Sequence, residues 1–240
     1  MRDHKMRLVR FFGIAVLMVV LTLSGAQNVW AVSFMGYPDA FISGGIVRGT
    51  VVVGASNAHS PCGAAHTIDV VGTNLIVESL GDYADTGGLD SMLDYYAAHW
   101  TGSEVALDVA GNIITAGGPP VNYVWKYYND QGSLPAYFYP YGTVYVPSSG
   151  NSYSMTQDYY KGKEVTDYAI VELYADGGRN VLLVAGISGF ATYYASKWLQ
   201  QATVDATIQQ YNAQAIILKL DDADGDPLAS PPTITIQETV

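Results

Sequence analysis

Three short apolar runs, each followed by a glycine-containing turn and then a helical pattern, constrain the fold of this chain most strongly. They are "TVVVG" at residues 50–54, "NIITAGG" at 112–118 and "NVLLVAG" at 180–186. Apolar runs of this length without polar alternation are typical of strands covered on both faces, as in parallel sheets. The sequence therefore predicts an α/β domain with a mixed, mostly parallel sheet and helices on both faces.

Turn and cap residues predict where the helices begin. In the first unit, Ser60 is a natural N-cap and Pro61 a natural first helical residue. In the second, the Gly-Gly pair lets the backbone turn at the end of the strand, with a positive φ expected at Gly118. The following prolines, from Pro119 onward, are expected to preset the first helical turn. The third helix is predicted to begin near Gly189.

Further strands surround these units. Asp176-Gly177 between two apolar runs is a strong hairpin signal, so Tyr168–Tyr174 should be antiparallel to Val181–Ala185. Two more strands are predicted at 215–220 and 233–237. The sheet is thus expected to be mixed.

Residues 132–160 form an almost uncharged excursion that is rich in Tyr, Ser, Gly and Pro. Pro135, Pro140 and Pro147 exclude a helix there. A Tyr-rich β excursion on the surface is predicted instead.

The first 31 residues have the layout of a secretory signal peptide. Four basic side chains precede the apolar run "FFGIAVLMVVLTLSGA", and small residues follow it. We expect cleavage after Ala31, with Ala26 as the alternative site, and an uncleaved N-terminal anchor as the alternative fate. Residues 32–240 are expected to form a single secreted or cell-surface domain without a membrane span.

Charge and cysteine content exclude several classes of function. Outside the leader there are seven basic against 21 acidic residues, a net charge of −14. Such a chain repels nucleic acid and anionic lipid. Cys62 is the single cysteine, so no intrachain disulfide can form.

Two groups of residues have the chemistry of metal ligands. His59, Cys62 and His66 combine imidazole and thiolate, which suit zinc or copper, but the sequence offers no fourth ligand nearby. The segment "LDDADGDPL" offers hard oxygen donors for calcium, although it lacks the Gly and Glu of an EF-hand loop. Its candidate calcium ligands are Asp221, Asp222, Asp224 and Asp226.

No catalytic constellation is predicted. Ser56 follows a strand as in a nucleophile elbow, but Ala58 stands where that motif has its second glycine. His99 is the histidine placed to act as its base, and it lacks an Asp in the usual chain order. The glycine turns match neither a Walker loop nor a dinucleotide fingerprint. We therefore expect no catalytic residue and no bound cofactor other than calcium.

Three phrases in this order resemble archaeal surface-layer (S-layer) proteins over most of residues 48–220. They are "TVVVGASNA", "NIITAGGPPVN" and "DYAIVELYADGGRNVLLVAGISGFATYYASKWL". The resemblance implies a non-catalytic structural or adhesive role in the cell envelope, through self-association or contact with other surface proteins. It also implies that the Gly-Gly-Pro-x-Val-Asn pattern is a fold signature. The chain departs from the family in being short and in lacking a C-terminal anchor and glycosylation triplets, which points to an accessory subunit or a single module.

Two other functions remain open at this point. A secreted α/β hydrolase would place its site near Gly54, Gly117 and Gly186, at the carboxyl ends of the strands. A module that binds a surface polymer such as a carbohydrate would use exposed tyrosines of residues 137–160.

Overall fold

Fourteen strands follow one another along residues 32–240, the part of the chain that the computed structural model describes. They are β1 Ile42–Ser43, β2 Ile46–Val47, β3 Gly49–Val53, β4 Leu89–Leu93, β5 Ala98–Trp100, β6 Val105–Leu107, β7 Ile113–Ala116, β8 Tyr137–Phe138, β9 Thr143–Val146, β10 Asn151–Ser154, β11 Val165–Asp176, β12 Arg179–Gly186, β13 Ala215–Asp222 and β14 Thr233–Thr239.

Four α-helices and three short 3₁₀ turns connect these strands. The helices are α1 Thr67–Gly81, α2 Asp94–Ala97, α3 Tyr123–Asp130 and α4 Gly189–Val204, and the 3₁₀ turns are Phe34–Gly36, Asp39–Phe41 and Ile208–Gln210.

The central sheet has seven strands in the order β14-β13-β11-β12-β7-β3-β4. The pairs β12–β7, β7–β3 and β3–β4 are parallel, and the other three pairs are antiparallel. The mixed sheet is therefore confirmed. The predicted majority of parallel pairs is not observed, because β11, β13 and β14 all join through antiparallel neighbours.

Alternate residues of the central strands serve two separate cores. On one face, α1 and α4 pack over Ile114, Leu182 and Ile216. The two helices approach closely at Gly72, where an added Cβ would lie 2.8 Å from Ser196 Oγ. On the other face, α3 and the small sheet β8–β10 cover the alternate residues. Continuous apolar runs are explained by this cover on both sides.

The predicted hairpin and the Tyr-rich excursion are both present. Strands β11 and β12 pair antiparallel as far as Asp176 and Arg179, and Gly177 and Gly178 have φ values of 55° and 94°. Positive φ at both central residues is what a tight type I′ turn requires. The excursion forms the antiparallel sheet β10-β9-β8.

Two predicted helix starts are wrong. Helix α1 begins at Thr67, because the backbone of His59 bonds to Cys62 (N···O 3.0 Å) and closes a turn over Ser60 and Pro61. The capping signals at 60 and 61 thus serve a loop. Helix α3 begins at Tyr123, after the prolines.

Asn122 sets the start of α3. Its Oδ1 accepts hydrogen bonds from Val124 N at 2.9 Å and Trp125 N at 3.3 Å, and its Nδ2 donates to Thr115 Oγ1 at 2.9 Å. This side chain satisfies two orphan N–H groups and ties the helix to strand β7. The glycine with positive φ in this corner is Gly117, at 101°, and Gly118 has no such constraint.

Residues Val32–Val240 form one compact unit. The predicted signal peptide and its cleavage site lie outside the described residues. Within the described residues, no helix has the length and apolar character needed to cross a membrane.

Candidate functional site

The loops that follow β3, β4, β7 and β12 meet at one edge of the central sheet, here named the carboxyl edge. In open α/β sheets, ligands bind preferentially at such an edge. Buried carboxylates lie there, and three of them were not singled out from the sequence: Asp69, Asp94 and Asp167.

Asp94 is the central polar residue of this edge. Its side chain is 0% exposed, and its Oδ1 accepts a hydrogen bond from Ala55 N at 2.9 Å. Its Oδ2 accepts from Tyr123 N at 2.9 Å and lies 2.7 Å from His59 Nε2. One carboxylate therefore joins the loop after β3, the start of α2 and the start of α3. Burial of the Asp94 carboxylate is tolerated because both of its oxygens have hydrogen-bond partners.

His59 is held between two acceptors. Its Nε2 faces Asp94, and its Nδ1 lies 3.0 Å from the carbonyl oxygen of Asn57. Both ring nitrogens act as donors when the imidazole is doubly protonated. Each ring nitrogen therefore already lies at hydrogen-bond distance from an oxygen of the protein.

Cys62 and His66 do not join His59 in a ligand set. The Cys62 thiol is buried and contacts Pro119 O at 3.4 Å, and burial, followed by the nearby Asp94 charge, raises its pKa to about 12. A protonated thiol is a poor metal ligand. Among residues 32–240, no three His, Cys, Asp or Glu side chains are grouped to hold a metal ion.

Ser56 and His99 likewise lie in separate arrangements. Ser56 is exposed in the loop after β3. His99 is exposed on β5, and its Nδ1 lies 2.7 Å from Asp108 Oδ2 in the same hairpin. Within the described chain, the Ser56 hydroxyl has no hydrogen bond to a histidine.

Ser188, at the start of α4, is the hydroxyl best placed for chemistry. Its Oγ donates to Asp167 Oδ2 at 2.5 Å and accepts from Ala191 N at 3.1 Å. Burial raises the pKa of Asp167 to about 6, against the lowering effect of hydrogen bonds from Ser188 and Tyr168 N. This pair resembles a nucleophile and its base. However, the Ser188 oxygen already serves as the N-cap of α4.

A cleft of about 340 Å³ adjoins Ser188, between the N-termini of α1 and α4. Asp69 lines it, and Asp69 Oδ2 accepts a bond from His66 N at 3.0 Å. Burial raises the pKa of Asp69. Gly117 and Gly189 bring the backbone close to this carboxylate, since a Cβ at either position would lie within 4 Å of Asp69. The His66–Asp69 bond caps the start of α1, as Ser188 caps the start of α4.

The acidic segment at the end of β13 uses its carboxylates on its own backbone. Asp222 Oδ1 accepts from Asp224 N and Gly225 N, at 3.2 and 2.8 Å. Asp224 accepts from Asp226 N and from Ser230 Oγ. The second carboxylate oxygen of Asp222 is buried and has no hydrogen-bond partner.

Asp221 is separated from this group. It bonds to Thr166 Oγ1 at 2.7 Å and pairs with Lys219 at 2.7 Å. Because Asp221 and Asp222 are adjacent on a strand, their side chains point to opposite faces. The four predicted calcium ligands therefore do not converge on one point, and calcium binding stays a prediction for the remaining three.

A second concave surface, here named the tyrosine groove, lies at the Tyr-rich excursion. It has a volume of about 470 Å³ and is lined by Asn129, Asp130, Gly132 and residues 137–141. Tyr139 is 72% exposed and Tyr141 is 47% exposed. Here Asp130 and the rings of Tyr139 and Tyr141 face solvent, unlike the polar groups of the carboxyl edge. The richness in tyrosine of residues 137–160 was the sequence signal for this surface.

A scan against models of protein families and a search of curated proteins both found no match to this chain.

Proposed function

We propose that this protein is a non-catalytic structural or adhesive component of a cell surface, an S-layer-like module that acts by assembly with further copies of itself. The observation that carries the proposal is the exposed edge strand β14. The secretory leader and the S-layer-like phrases support a location in the cell envelope.

Strand β14 ends the central sheet and pairs only with β13 among the described strands. Most of its side chains are exposed, including Ile236 at 37%. Its sequence "TITIQET" is rich in residues that favour strands and contains no Lys or Pro. Soluble proteins usually place Lys or Pro on a long edge strand, because the free N–H and C=O groups of such a strand recruit other strands.

The one charged side chain of β14, Glu238, does not prevent another strand from pairing with this edge. Glu238 Oε2 accepts hydrogen bonds from Tyr153 OH at 2.7 Å and Asn151 Nδ2 at 3.1 Å, and both donors belong to β10. The carboxylate is thus held against the small sheet. We propose that a second copy pairs antiparallel with the part of β14 before the register shift at Gln237, about a two-fold axis that places the same residues on both sides.

The carboxyl edge supports a structural role better than a hydrolytic one. His59 has both nitrogens engaged, and Ser188 caps a helix with the oxygen that would have to attack. An enzyme needs a nucleophile and base that are free to change partners. In this protein, the side chains of His59 and Ser188 hold the loops of the carboxyl edge in place.

Calcium binding by Asp222, Asp224 and Asp226 stays a sequence-based prediction that can be tested, although the described residues are not grouped there as a metal-ligand set. Like charges at close range favour a bound divalent cation. Calcium should raise the melting temperature of the wild type relative to the same protein in EGTA. Asp224→Asn should remove that difference, and an unchanged response in Asp224→Asn would contradict the assignment.

Site-directed crosslinking tests the β14 contact. Thr235→Cys places a thiol on the exposed edge, and Val71→Cys places a matched thiol on α1, where Val71 is 43% exposed. A short bismaleimide tolerates small differences in register, and the buried Cys62 thiol should not react. We expect covalent dimers for Thr235→Cys and monomers for Val71→Cys. Equal crosslinking of both variants, or of neither, would contradict pairing through β14.

A further inference from the structure

The tyrosine groove has the composition of a ligand site, and none of its exposed rings is needed by the core. Tyr139 and Tyr141 present their rings to solvent on either side of Pro140. Large exposed aromatic side chains grouped at a concave surface commonly mark a binding site. The groove is mainly apolar and has a few polar groups at one end, as small-molecule sites do.

The wall of the groove is fixed in place by Asn129. Its Oδ1 accepts from Phe138 N at 2.8 Å, and its Nδ2 donates to Phe138 O at 3.2 Å. This pair of bonds fastens β8 to the end of α3. Trp125 packs edge-to-face on Phe138 beneath it, with ring centroids 5.5 Å apart. A preformed wall reduces the ordering that a ligand would otherwise have to impose.

Two residues that line the groove, Asp130 and Tyr141, form a triangle of hydrogen bonds with Lys126. Lys126 Nζ donates to Asp130 Oδ2 at 2.6 Å and to Tyr141 OH at 2.9 Å, and Tyr141 OH donates to Asp130 Oδ1 at 3.2 Å. The Lys126 ammonium also lies 5.5 Å from the centre of the Tyr141 ring. These contacts hold the Tyr141 ring in one orientation. The Asp130 side chain remains 46% exposed, so its carboxylate can accept further hydrogen bonds.

Charge and hydrogen-bond chemistry select the ligand class. The net charge of −14 outside the leader, together with Asp130, disfavours acidic polymers. A proline-rich peptide offers carbonyl acceptors and few N–H donors, so it would leave Asp130 without a partner. A neutral pyranose offers an apolar C–H face to a tyrosine ring and hydroxyl donors to a carboxylate.

From this complementarity we infer that the tyrosine groove binds a neutral saccharide, stacked on Tyr139 and Tyr141 and hydrogen-bonded to Asp130. The inference rests on the proposed adhesive role at a cell surface, and it names the ligand class for that role. It does not require pairing through β14.

Affinity gel electrophoresis of the full-length protein tests this inference. The probes are soluble neutral glucan, mannan and galactan, with alginate as an acidic polymer and a polyproline peptide as the alternative ligand. We expect retardation by at least one neutral polymer, and binding at least about tenfold weaker for Tyr139→Ala and Tyr141→Ala. Asp130→Asn should weaken binding by less. Tyr96→Ala is the matched control, since Tyr96 is 66% exposed elsewhere on the surface.

Three results would overturn the inference. They are the absence of retardation by every neutral polymer, equal retardation of Tyr139→Ala and wild type, and binding restricted to alginate or polyproline. Running Ile236→Lys beside the wild type separates this inference from the proposed self-association. Ile236→Lys should bind saccharide as the wild type does while remaining monomeric. A wild type that binds saccharide but does not self-associate would contradict assembly alone, and a wild type that assembles without binding saccharide would contradict this inference alone.

Discussion

The carboxyl edge and the tyrosine groove use polar and aromatic side chains in opposite ways. At the carboxyl edge, Asp94 and Asp167 are completely buried and bonded to backbone N–H groups or capping side chains. At the groove, Asp130, Tyr139 and Tyr141 face solvent. Burial makes a polar residue expensive to remove, whereas exposure leaves it free to bind. Position in the sheet alone therefore does not decide which polar and aromatic side chains of this fold are free to contact a ligand.

Removing Asp94 should have the largest effect on stability. Asp94→Ala leaves His59 and the backbone N–H groups of Ala55 and Tyr123 without their buried partner, so the free energy of unfolding should fall by about 3 to 5 kcal/mol. Urea unfolding followed by circular dichroism measures the loss. Asp90→Ala, an exposed aspartate on the preceding strand β4, serves as the control. A loss below about 1 kcal/mol would mean that the edge is not held by this carboxylate.

Replacing Glu172 should change stability by less than replacing Asp94 does and in the opposite direction. The size of this change should depend on pH. The Glu172 side chain is 0% exposed, neither carboxylate oxygen has a side-chain partner among the described residues, and burial raises its pKa well above the usual value, against a lowering effect of the Ala136 backbone. The folded state therefore keeps a proton that the unfolded chain loses above about pH 4.5, and stability falls as pH rises from there.

Glu172→Gln removes this titration. We expect the variant to match the wild type near pH 4 and to exceed it by about 1 to 3 kcal/mol near pH 8. Thermal and urea unfolding across this pH range test the difference, with the exposed Glu164→Gln as control. Parallel pH profiles for wild type and Glu172→Gln would show that Glu172 is already ionised in the folded protein.

In the turn between β7 and α3, replacing Gly117 by alanine should lower stability more than replacing Gly118. Gly117→Ala forces a side chain into φ 101° and should lower stability by about 1 to 3 kcal/mol. Gly118→Ala meets its nearest atom at 3.5 Å, an ordinary contact, and should change stability by less than about 0.5 kcal/mol. The melting temperatures of Gly117→Ala and Gly118→Ala measure this difference. Equal losses would place the conformational constraint on both residues.

Tyr139→Ala should have the smallest effect on stability. Its ring is 72% exposed, so the melting temperature should stay near that of the wild type, with a change of less than about 0.5 kcal/mol. Differential scanning calorimetry provides the comparison. A large loss would show that the ring serves the fold, and the contrast between groove and carboxyl edge would disappear.

Local signals predicted several of the elements but not the contacts between them. Strands β3, β7 and β12 and the β11–β12 hairpin are confirmed, because apolar runs and the Asp-Gly turn act over a few residues. Strand β4 was not predicted, since "LDSML" has neither clear alternation nor a continuous apolar run. Its pairing with β3 is decided by tertiary packing.

The candidate site residues were predicted less well, because their contacts also join residues that are far apart in the sequence. The bonds of Asp94 to Ala55 and His59 span 39 and 35 residues, so no spacing rule reveals them. The Asp167–Ser188 bond spans 21 residues and depends on the register of β11 with β12. The His59-Cys62-His66 spacing suggested ligands, but the turn over residues 60 and 61 brings His59 to a carboxylate. Composition and prolines did predict a β excursion here, and Tyr139 and Tyr141 in it are exposed, whereas Phe138, Val144 and Val146 pack into the core.

Sedimentation velocity of the purified exported protein tests the central claim most directly, that the molecule acts by assembly through an exposed edge. The wild type should form larger species as its concentration rises in calcium-containing buffer. Ile236→Lys, which adds a charge to β14, should remain monomeric, whereas Val71→Lys should behave as the wild type. A wild type that stays a single monomeric species at every concentration would contradict assembly, and equal growth of wild type and Ile236→Lys would contradict the role of β14.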